Sequence, residues 1–226
     1  MLNHSGNTNC MYHVILTITR QGERVTKTVR ILGTYTTHLA AKKVAQNYFV
    51  DVGYSRDMFS RYHVRDTFIK DEDPTDVLGR LESYLYGVTH EGAIFQVDVN
   101  TARNNKELTT DSDDGLLAVP LYFVVRATLE DGQGEDGLRG RVSVEGSFAS
   151  YEEARDYASK VRISPDVPKE EFWTYDEAEP DKTECGYGDN VVLHAVTRQR
   201  INSFVMVIGS QDSEEKGLKE ASITIL

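Results

Sequence analysis

The pattern of apolar and polar positions near the amino end predicts a β-hairpin followed by a helix. Residues 14–20 and 25–32 are rich in β-branched side chains, and Gln21-Gly22 separates them. Apolar residues then recur at helical spacing over residues 39–49, before Gly53. An aromatic segment at 59–68 and two strands near 81–90 and 93–100 complete the series. This stretch therefore predicts a ββαβββ unit.

The same series recurs about 110 residues later in the chain. Strands are predicted at 121–129 and 141–146, and Ser150 with Glu153 forms the capping box of a second helix. The aromatic segment recurs at 172–175, and the last strands at 190–198 and 202–209. The aligned pairs include Gly33 with Gly146, Ala41 with Ala154, Phe59 with Phe172, Tyr62 with Tyr175, and Phe95 with Phe204.

We therefore predict an α+β fold of two tandem ββαβββ units, related by a pseudo-twofold axis. In each unit one helix covers one face of an antiparallel sheet. The units span residues 11–101 and 119–210. We predict an acidic linker at residues 102–118 and a polar tail at residues 211–226, with an edge strand at its end.

The net negative charge of the chain comes from its second half. Of 226 residues, 25 are basic and 36 acidic, so the net charge is −11. Residues 11–101 carry equal numbers of both signs, and the whole excess follows residue 101. This charge argues against a nucleic-acid partner. A membrane partner is not expected either, because no apolar run reaches the roughly 18–20 residues that a span requires.

The amino-terminal residues lack the pattern of a secretory signal, and the chain has two cysteines, Cys10 and Cys185. We expect a cytoplasmic, intracellular protein with both thiols reduced. We predict no cofactor and no metal, since neither a zinc-ligand spacing nor a catalytic motif stands in the sequence. The run from Gly132 to Gly137 reads G-x-G-x-x-G, but a predicted strand follows it rather than a helix.

Three histidines, His13, His63 and His194, are candidates for a pocket between the two repeats. They are chosen by analogy with tandem βαβββ enzymes of the glyoxalase group, in which both halves supply metal ligands. Their counterparts in the other repeat, Phe123, Asp176 and Tyr86, do not form a matching set. We interpret them as isolated strand or loop histidines and keep the pocket as the alternative.

Two segments of the first unit resemble a domain of uncharacterised fungal proteins. One is the run Val29-Arg-Ile-Leu-Gly-Thr-Tyr-Thr-Thr with the following Leu39-Ala-Ala-Lys-Lys-Val-Ala, and the other is His90-Glu-Gly-Ala-Ile-Phe-Gln-Val-Asp-Val. The resemblance implies an α+β domain. It implies no activity, since that family has no established function.

The aromatic segment of the second unit is a candidate partner-binding surface. Trp173, the only tryptophan, and Tyr175 stand among charged residues that include Glu177 and Glu179, and Tyr62 is the counterpart of Tyr175. We predict a non-enzymatic protein-interaction or structural module with an acidic second half. Its partner is a basic protein, and a homo-oligomer is a further expectation. The alternative is a small-molecule-binding protein or enzyme with its pocket between the repeats.

The apolar run Val205-Met-Val-Ile208 yields a testable prediction about the second unit. Such continuity indicates a strand buried on both faces, whereas one helix covers only one face of a sheet. We expect residues 102–226, expressed alone, to self-associate or aggregate while the full chain stays soluble, as sedimentation velocity would measure. A monomeric fragment with a cooperative unfolding transition would contradict this prediction.

Overall fold

The chain divides into two units, Met1–Ala118 and Val119–Leu226, which are described separately. The structure, a computed structural model, describes residues 10–65, 83–130, 139–161, 163, 168–179, 182, 184–210 and 219–225. The G-x-G-x-x-G run and most of the predicted tail before residue 219 lie outside the described residues.

The first unit contains an antiparallel arrangement of five strands. They are β1 (Cys10–Arg20), β2 (Val25–Tyr35), β3 (Phe59–Val64), β4 (Leu85–Thr89) and β5 (Ile94–Arg103). They lie side by side in the order β3-β4-β5-β1-β2. The hairpin β1–β2 is therefore extended by β5 on the other side of β1, which makes β1 a central strand.

The helix α1 (His38–Asp51) follows β2. Thr37 caps its amino end, where the side-chain oxygen accepts a hydrogen bond from the backbone N–H of Ala40 at 3.3 Å. Buried residues recur every fourth position, at Ala41, Ala45 and Phe49. The chain leaves the helix through Gly53, whose φ of +85° is the left-handed conformation that glycine adopts without strain.

Strand β1 is buried on both faces. One face of β1 points toward α1. Its residues Val14, Leu16 and Ile18 belong to the hydrophobic core between the helix and the sheet. The alternate positions, which point to the other face, are also buried: Met11, His13, Ile15, Thr17 and Thr19. Strand β1 therefore does not alternate between buried and exposed positions, and the polar side chains on the face away from the helix are buried.

The second unit contains a corresponding series of elements. They are β6 (Tyr122–Glu130), β7 (Arg139–Phe148), α2 (Tyr151–Lys160), β8 (Thr174–Glu177), β9 (Gly188–Asp189), β10 (Val191–Val196), β11 (Ile201–Gly209) and β12 (Ala221–Ile225). Five strands lie in the order β7-β6-β11-β10-β8, and β9 pairs with β12. The predicted α+β class with antiparallel sheets is confirmed. No helix in the described part of the chain is long and apolar enough to cross a membrane.

The two hairpins share an irregularity at the same place. In β1–β2 the register shifts between Val14 and Ile15, and in β6–β7 it shifts between Val124 and Val125. Gly33 lies opposite Val14, and Gly146 lies opposite Val124. A Cβ atom would come within 3.0 Å of the Tyr35 ring at the first glycine and within 2.8 Å of the Phe148 ring at the second. A larger residue at either position would therefore force the neighbouring ring to move.

The entry to each edge strand is also built alike. A single 3-10 turn precedes β3 and another precedes β8, at Arg56–Met58 and Lys169–Glu171. The first residue of each turn places its cation over the tyrosine of the following strand, 5.0 Å from the Tyr62 ring and 4.6 Å from the Tyr175 ring. Tyr62 and Tyr175 therefore each have the same kind of local contact.

The predicted pairing of Phe95 with Phe204 is wrong by one position. Phe95 belongs to the core beneath α1, whereas the core beneath α2 contains Val205 and not Phe204. Successive residues of a strand point to opposite faces, so Phe204 lies on the face away from the helix. An aromatic match in sequence therefore does not correspond to a match in register.

Part of the predicted linker has partners in the first unit. The backbone N–H of Leu117 donates to the carbonyl of Thr34 at 2.8 Å, and that of Thr36 donates to the carbonyl of Gly115 at 2.9 Å. Leu117 itself is 5% exposed. Residues 115–117 therefore extend the edge of the first unit at the end of β2.

The ring cluster at Gly87 yields a prediction about packing. Phe49 and Phe59 stack with their centroids 4.8 Å apart, and a Cβ atom on Gly87 would lie 2.7 Å from Phe59 and 2.9 Å from Phe49. We expect Gly87→Ala to lower the free energy of unfolding by about 1–3 kcal/mol, because neither buried ring can move freely. Urea denaturation measures this. Gly22→Ala is the control, since its nearest atom is 3.6 Å away, and equal stability of both variants would contradict the prediction.

Candidate functional site

Trp173 is a large apolar side chain on the surface of the second unit. It is 67% exposed and immediately precedes β8, the last strand in the order of that sheet. Its backbone is nevertheless held, because its N–H donates to the carbonyl of Val196 at 2.8 Å. An exposed indole on a fixed backbone is typical of a contact residue in a protein interface.

Three of the other predicted partner-binding residues follow Trp173 along the chain. Tyr175 and Glu177 are on β8, and Glu179 follows two residues later. The Lys169 ammonium lies 2.5 Å from a carboxylate oxygen of Glu177 and also over the Tyr175 ring. The hydrogen bond with Glu177 raises the pKa of Lys169 above its ordinary value. The ring of Tyr175 is therefore covered on one side by an ion pair.

Glu179 is held by basic side chains. Its carboxylate lies 2.9 Å from the ammonium of Lys182, and its backbone carbonyl accepts a hydrogen bond from Arg155. The remaining predicted residue, Tyr62, lies on β3 in the first unit and packs against Phe49 and Phe59, with ring centroids 6.1 and 5.6 Å apart. Its place in that ring cluster indicates a structural role.

We name residues 169–179 the β8 surface. It contains one lysine, Lys169, against five acidic residues: Glu170, Glu171, Asp176, Glu177 and Glu179. Glu170 and Glu171 are exposed, and Glu177 is paired with the lysine. The β8 surface therefore combines an exposed indole with an excess of negative charge.

His13 is buried on the face of β1 that points away from α1. It is 0% exposed on β1, and its Nδ1 atom lies 3.0 Å from the hydroxyl oxygen of Thr34. Burial disfavours the imidazolium form and lowers the pKa of His13 to about 4. The ring is neutral at neutral pH.

His63 does not lie beside His13. It is on the edge strand β3, opposite Tyr86 of β4. The strand order separates β3 from β1 by β4 and β5, which is roughly 14 Å across the sheet at the usual strand spacing, and the register places His63 level with Thr17, four residues along β1 from His13. These two predicted residues therefore do not form a common site within the first unit.

His194 occupies a polar cluster in the second unit. Its ring lies between those of Tyr187 and Phe204, at centroid distances of 3.9 and 4.6 Å, and its Nε2 lies 3.2 Å from Oδ1 of Asn202. Because that oxygen only accepts hydrogen bonds, Nε2 carries the proton of the neutral ring. The Nδ1 atom then faces the Asp176 carboxylate at 3.9 Å without a hydrogen bond.

Burial lowers the pKa of His194, and Asn202 and Asp176 oppose this shift. Burial, and after it the Asp176 carboxylate, raise the pKa of Tyr187. The Asp176 carboxylate also acts on Cys185. Burial, more than this carboxylate, raises the pKa of the Cys185 thiol. A raised thiol pKa does not favour a nucleophilic cysteine.

The sequence pattern did not single out several buried polar residues. Lys27 is 3% exposed on β2, and burial lowers the pKa of its ammonium while the Asp98 carboxylate opposes the shift. Asn202 and Tyr187, which are half-buried, were not singled out by the sequence pattern either. Alternation along β2 does not distinguish Lys27 from a lysine on a solvated face, so only the tertiary structure reveals its burial.

The described residues hold no group of three or more histidine, cysteine, aspartate or glutamate side chains that could bind a metal ion. No protein-family model, no curated protein and no solved structure matches this chain. The class that the structure defines is an α+β protein, in which the described residues form two antiparallel sheets and one α-helix in each unit. The resemblance to a fungal domain family stays a prediction.

The depressed pKa of His13 yields a prediction about acid stability. Its folded-state pKa of about 4 lies below the ordinary value of 6.5, so the unfolded chain binds more protons between these pH values. The fold therefore loses stability as the pH falls. We expect a loss of about 2 kcal/mol from this residue between pH 7.5 and pH 5.

Urea unfolding of the wild type and of His13→Asn at both pH values measures this contribution. The variant is expected to lose less stability on acidification, because it has no imidazole to protonate. His90→Asn, at an exposed position, is the control and is expected to behave as the wild type does. An unchanged acid sensitivity in His13→Asn would show that His13 is not responsible.

Proposed function

We propose that this protein is a non-enzymatic protein-interaction module and that the β8 surface binds a basic segment of its partner. The observation that carries the proposal is the exposure of Trp173, 67%, beside a terminal strand. Tryptophan is the residue type most enriched among those that dominate binding energy. Leaving its apolar ring in water is unfavourable, and a partner that covers it recovers that free energy.

The position of Trp173 supports a contact role more than a packing role. The rings of Phe172 and Tyr175, on either side along the chain, pack against the core beneath α2. Trp173 is not a member of that core. Its backbone hydrogen bond to Val196 restricts its motion, so less conformational entropy is lost when a partner binds.

The charge of the β8 surface supports a basic partner. Five acidic residues stand there against Lys169, and Lys169 is already paired with Glu177. A basic segment would gain attraction to the exposed Glu170 and Glu171, whereas an acidic segment would be repelled. Such attraction weakens as salt is added, since the residues are exposed.

We also propose that the two units are tandem ββαβββ repeats of one ancestral unit. The equal strand order, the bulges opposite Gly33 and Gly146, and the paired caps at Thr37 and Ser150 support this. Under this alignment Trp173 corresponds to Ser60, whose hydroxyl donates to the carbonyl of Val88 at 3.0 Å. The exposed indole is therefore a property that distinguishes the second repeat from the first.

The burial of two of the three candidate histidines does not favour the alternative of a ligand pocket or enzyme site. His13 is 0% and His194 4% exposed, and each has a ring nitrogen beside a side-chain oxygen. These placements support structural roles. The β8 surface offers the stronger physical basis for a function.

The sole tryptophan provides a direct test of the interaction. We expect the fluorescence of Trp173 to shift to shorter wavelength when a short acetylated peptide of alternating lysine and valine is added, because the indole becomes covered. A peptide of alternating glutamate and valine is expected to cause no shift. Calorimetry is expected to show that Trp173→Ser weakens binding of the basic peptide by about thirtyfold, the effect of a dominant interface residue.

The matched control is Leu39→Ser, which removes another exposed apolar side chain, 76% exposed, from the first unit. It is expected to bind the basic peptide as the wild type does. Absence of binding by the wild type, or equal binding by the wild type and Trp173→Ser, would overturn the proposal.

A further inference from the structure

We infer that the basic segment binds in an extended conformation and adds a strand to the free side of β8. This inference rests on the proposed function and specifies how the same surface recognises its partner. Side-chain contacts alone would not determine the direction or the register of the bound segment. Backbone hydrogen bonds to an edge strand would fix the direction and register of the bound segment.

The pairing of β8 with β10 shows which backbone groups face outward. The register pairs Glu177 with Leu193 and Asp176 with His194, and the N–H of Ala178 donates to the carbonyl of Val192 at 2.8 Å. Hydrogen-bonded and non-hydrogen-bonded pairs alternate in an antiparallel ladder. Asp176 is therefore bonded to β10, and the N–H and C=O groups of Tyr175 and Glu177 point away from it.

Among the described residues, no strand pairs with the outer side of β8. Within the part of the chain that the structure describes, β8 pairs only with β10 and ends the order of its sheet. Its four residues, Thr174–Glu177, include no proline, which would remove an N–H donor. The edge therefore presents two donors and two acceptors at Tyr175 and Glu177.

Charge distinguishes this edge from two other terminal strands, β3 and β7. The edge strand β3 carries Arg61 and is followed by Arg65, and the edge strand β7 contains Arg141. A basic segment would be repelled at both. Strand β8 carries Asp176 and Glu177 instead, so of these three edges it is the one to which a basic segment is attracted.

The alternation of β8 also indicates the sequence of the bound segment. Trp173, Tyr175 and Glu177 point to one face of the sheet, and Thr174 and Asp176 point to the other. An added strand would place an apolar side chain beside Trp173 and a basic one beside Glu177 or Asp176. A segment of alternating basic and β-branched residues matches these positions.

The test compares two substitutions of Glu177. Because its N–H points away from β10, Glu177→Pro removes one outward donor without removing a hydrogen bond of the native ladder. Glu177→Thr removes the same charge and keeps the donor. With the alternating lysine–valine peptide as probe, we expect Glu177→Pro to bind about tenfold more weakly than Glu177→Thr in calorimetry. Equal binding by the two variants would overturn strand addition.

A second measurement leaves the protein unchanged, in case Glu177→Pro disturbs the fold. Two peptides of the same sequence are compared. One is N-methylated at its odd-numbered residues and the other at its even-numbered residues. Only one edge of an added strand faces β8, so methylation of one phase is expected to abolish binding and methylation of the other to preserve it. Equal binding of both methylated peptides would overturn the inference.

The two proposals fail in different ways. If the unmodified peptide does not bind, or if Trp173→Ser binds it as well as the wild type does, the proposed function itself is wrong. If the peptide binds through Trp173 but neither the proline substitution nor the phase of methylation matters, the partner is recognised by side chains, and only the strand addition is wrong.

Discussion

The close contact between a single helix and each sheet is the interaction on which both units depend. Ala41 and Ala45 of α1, and Ala154 and Ala158 of α2, are all fully buried. A methyl group at these positions lets the helix axis approach the strands, and a larger side chain would force the layers apart. This contact determines which face of each strand points to a helix, and Tyr175 of the edge strand β8 packs against the core beneath α2.

Burial of the second face of the first sheet introduces polar groups into the interior. His13 and Lys27 both lie there, at 0% and 3% exposure. Removing an ionisable group from water disfavours its charged form, so the pKa of each falls. The stability of the first unit is therefore linked to pH through residues that take no part in the proposed interaction.

Under the proposed duplication, the edge strands β3 and β8 correspond but differ in surface chemistry. Arg56 covers Tyr62 in the first unit and Lys169 covers Tyr175 in the second, so the packing of the edge is retained. Ser60 and Trp173 differ, and so do the arginines beside β3 and the carboxylates on β8. Similar packing with different surface chemistry is consistent with the proposed interaction at β8, because contact residues need not contribute to the core.

The sequence by itself determined the order of strands and helices, the capping residue Ser150 and the glycines of the hairpins, because each depends on neighbours within a few positions of the chain. The tertiary structure decided the register of β11, which places Val205 rather than Phe204 beneath α2. It also decided the burial of Lys27 and the exposure of Trp173. Burial and register depend on residues that are distant in sequence, and a strand shifted by one residue has the same local pattern but the opposite face.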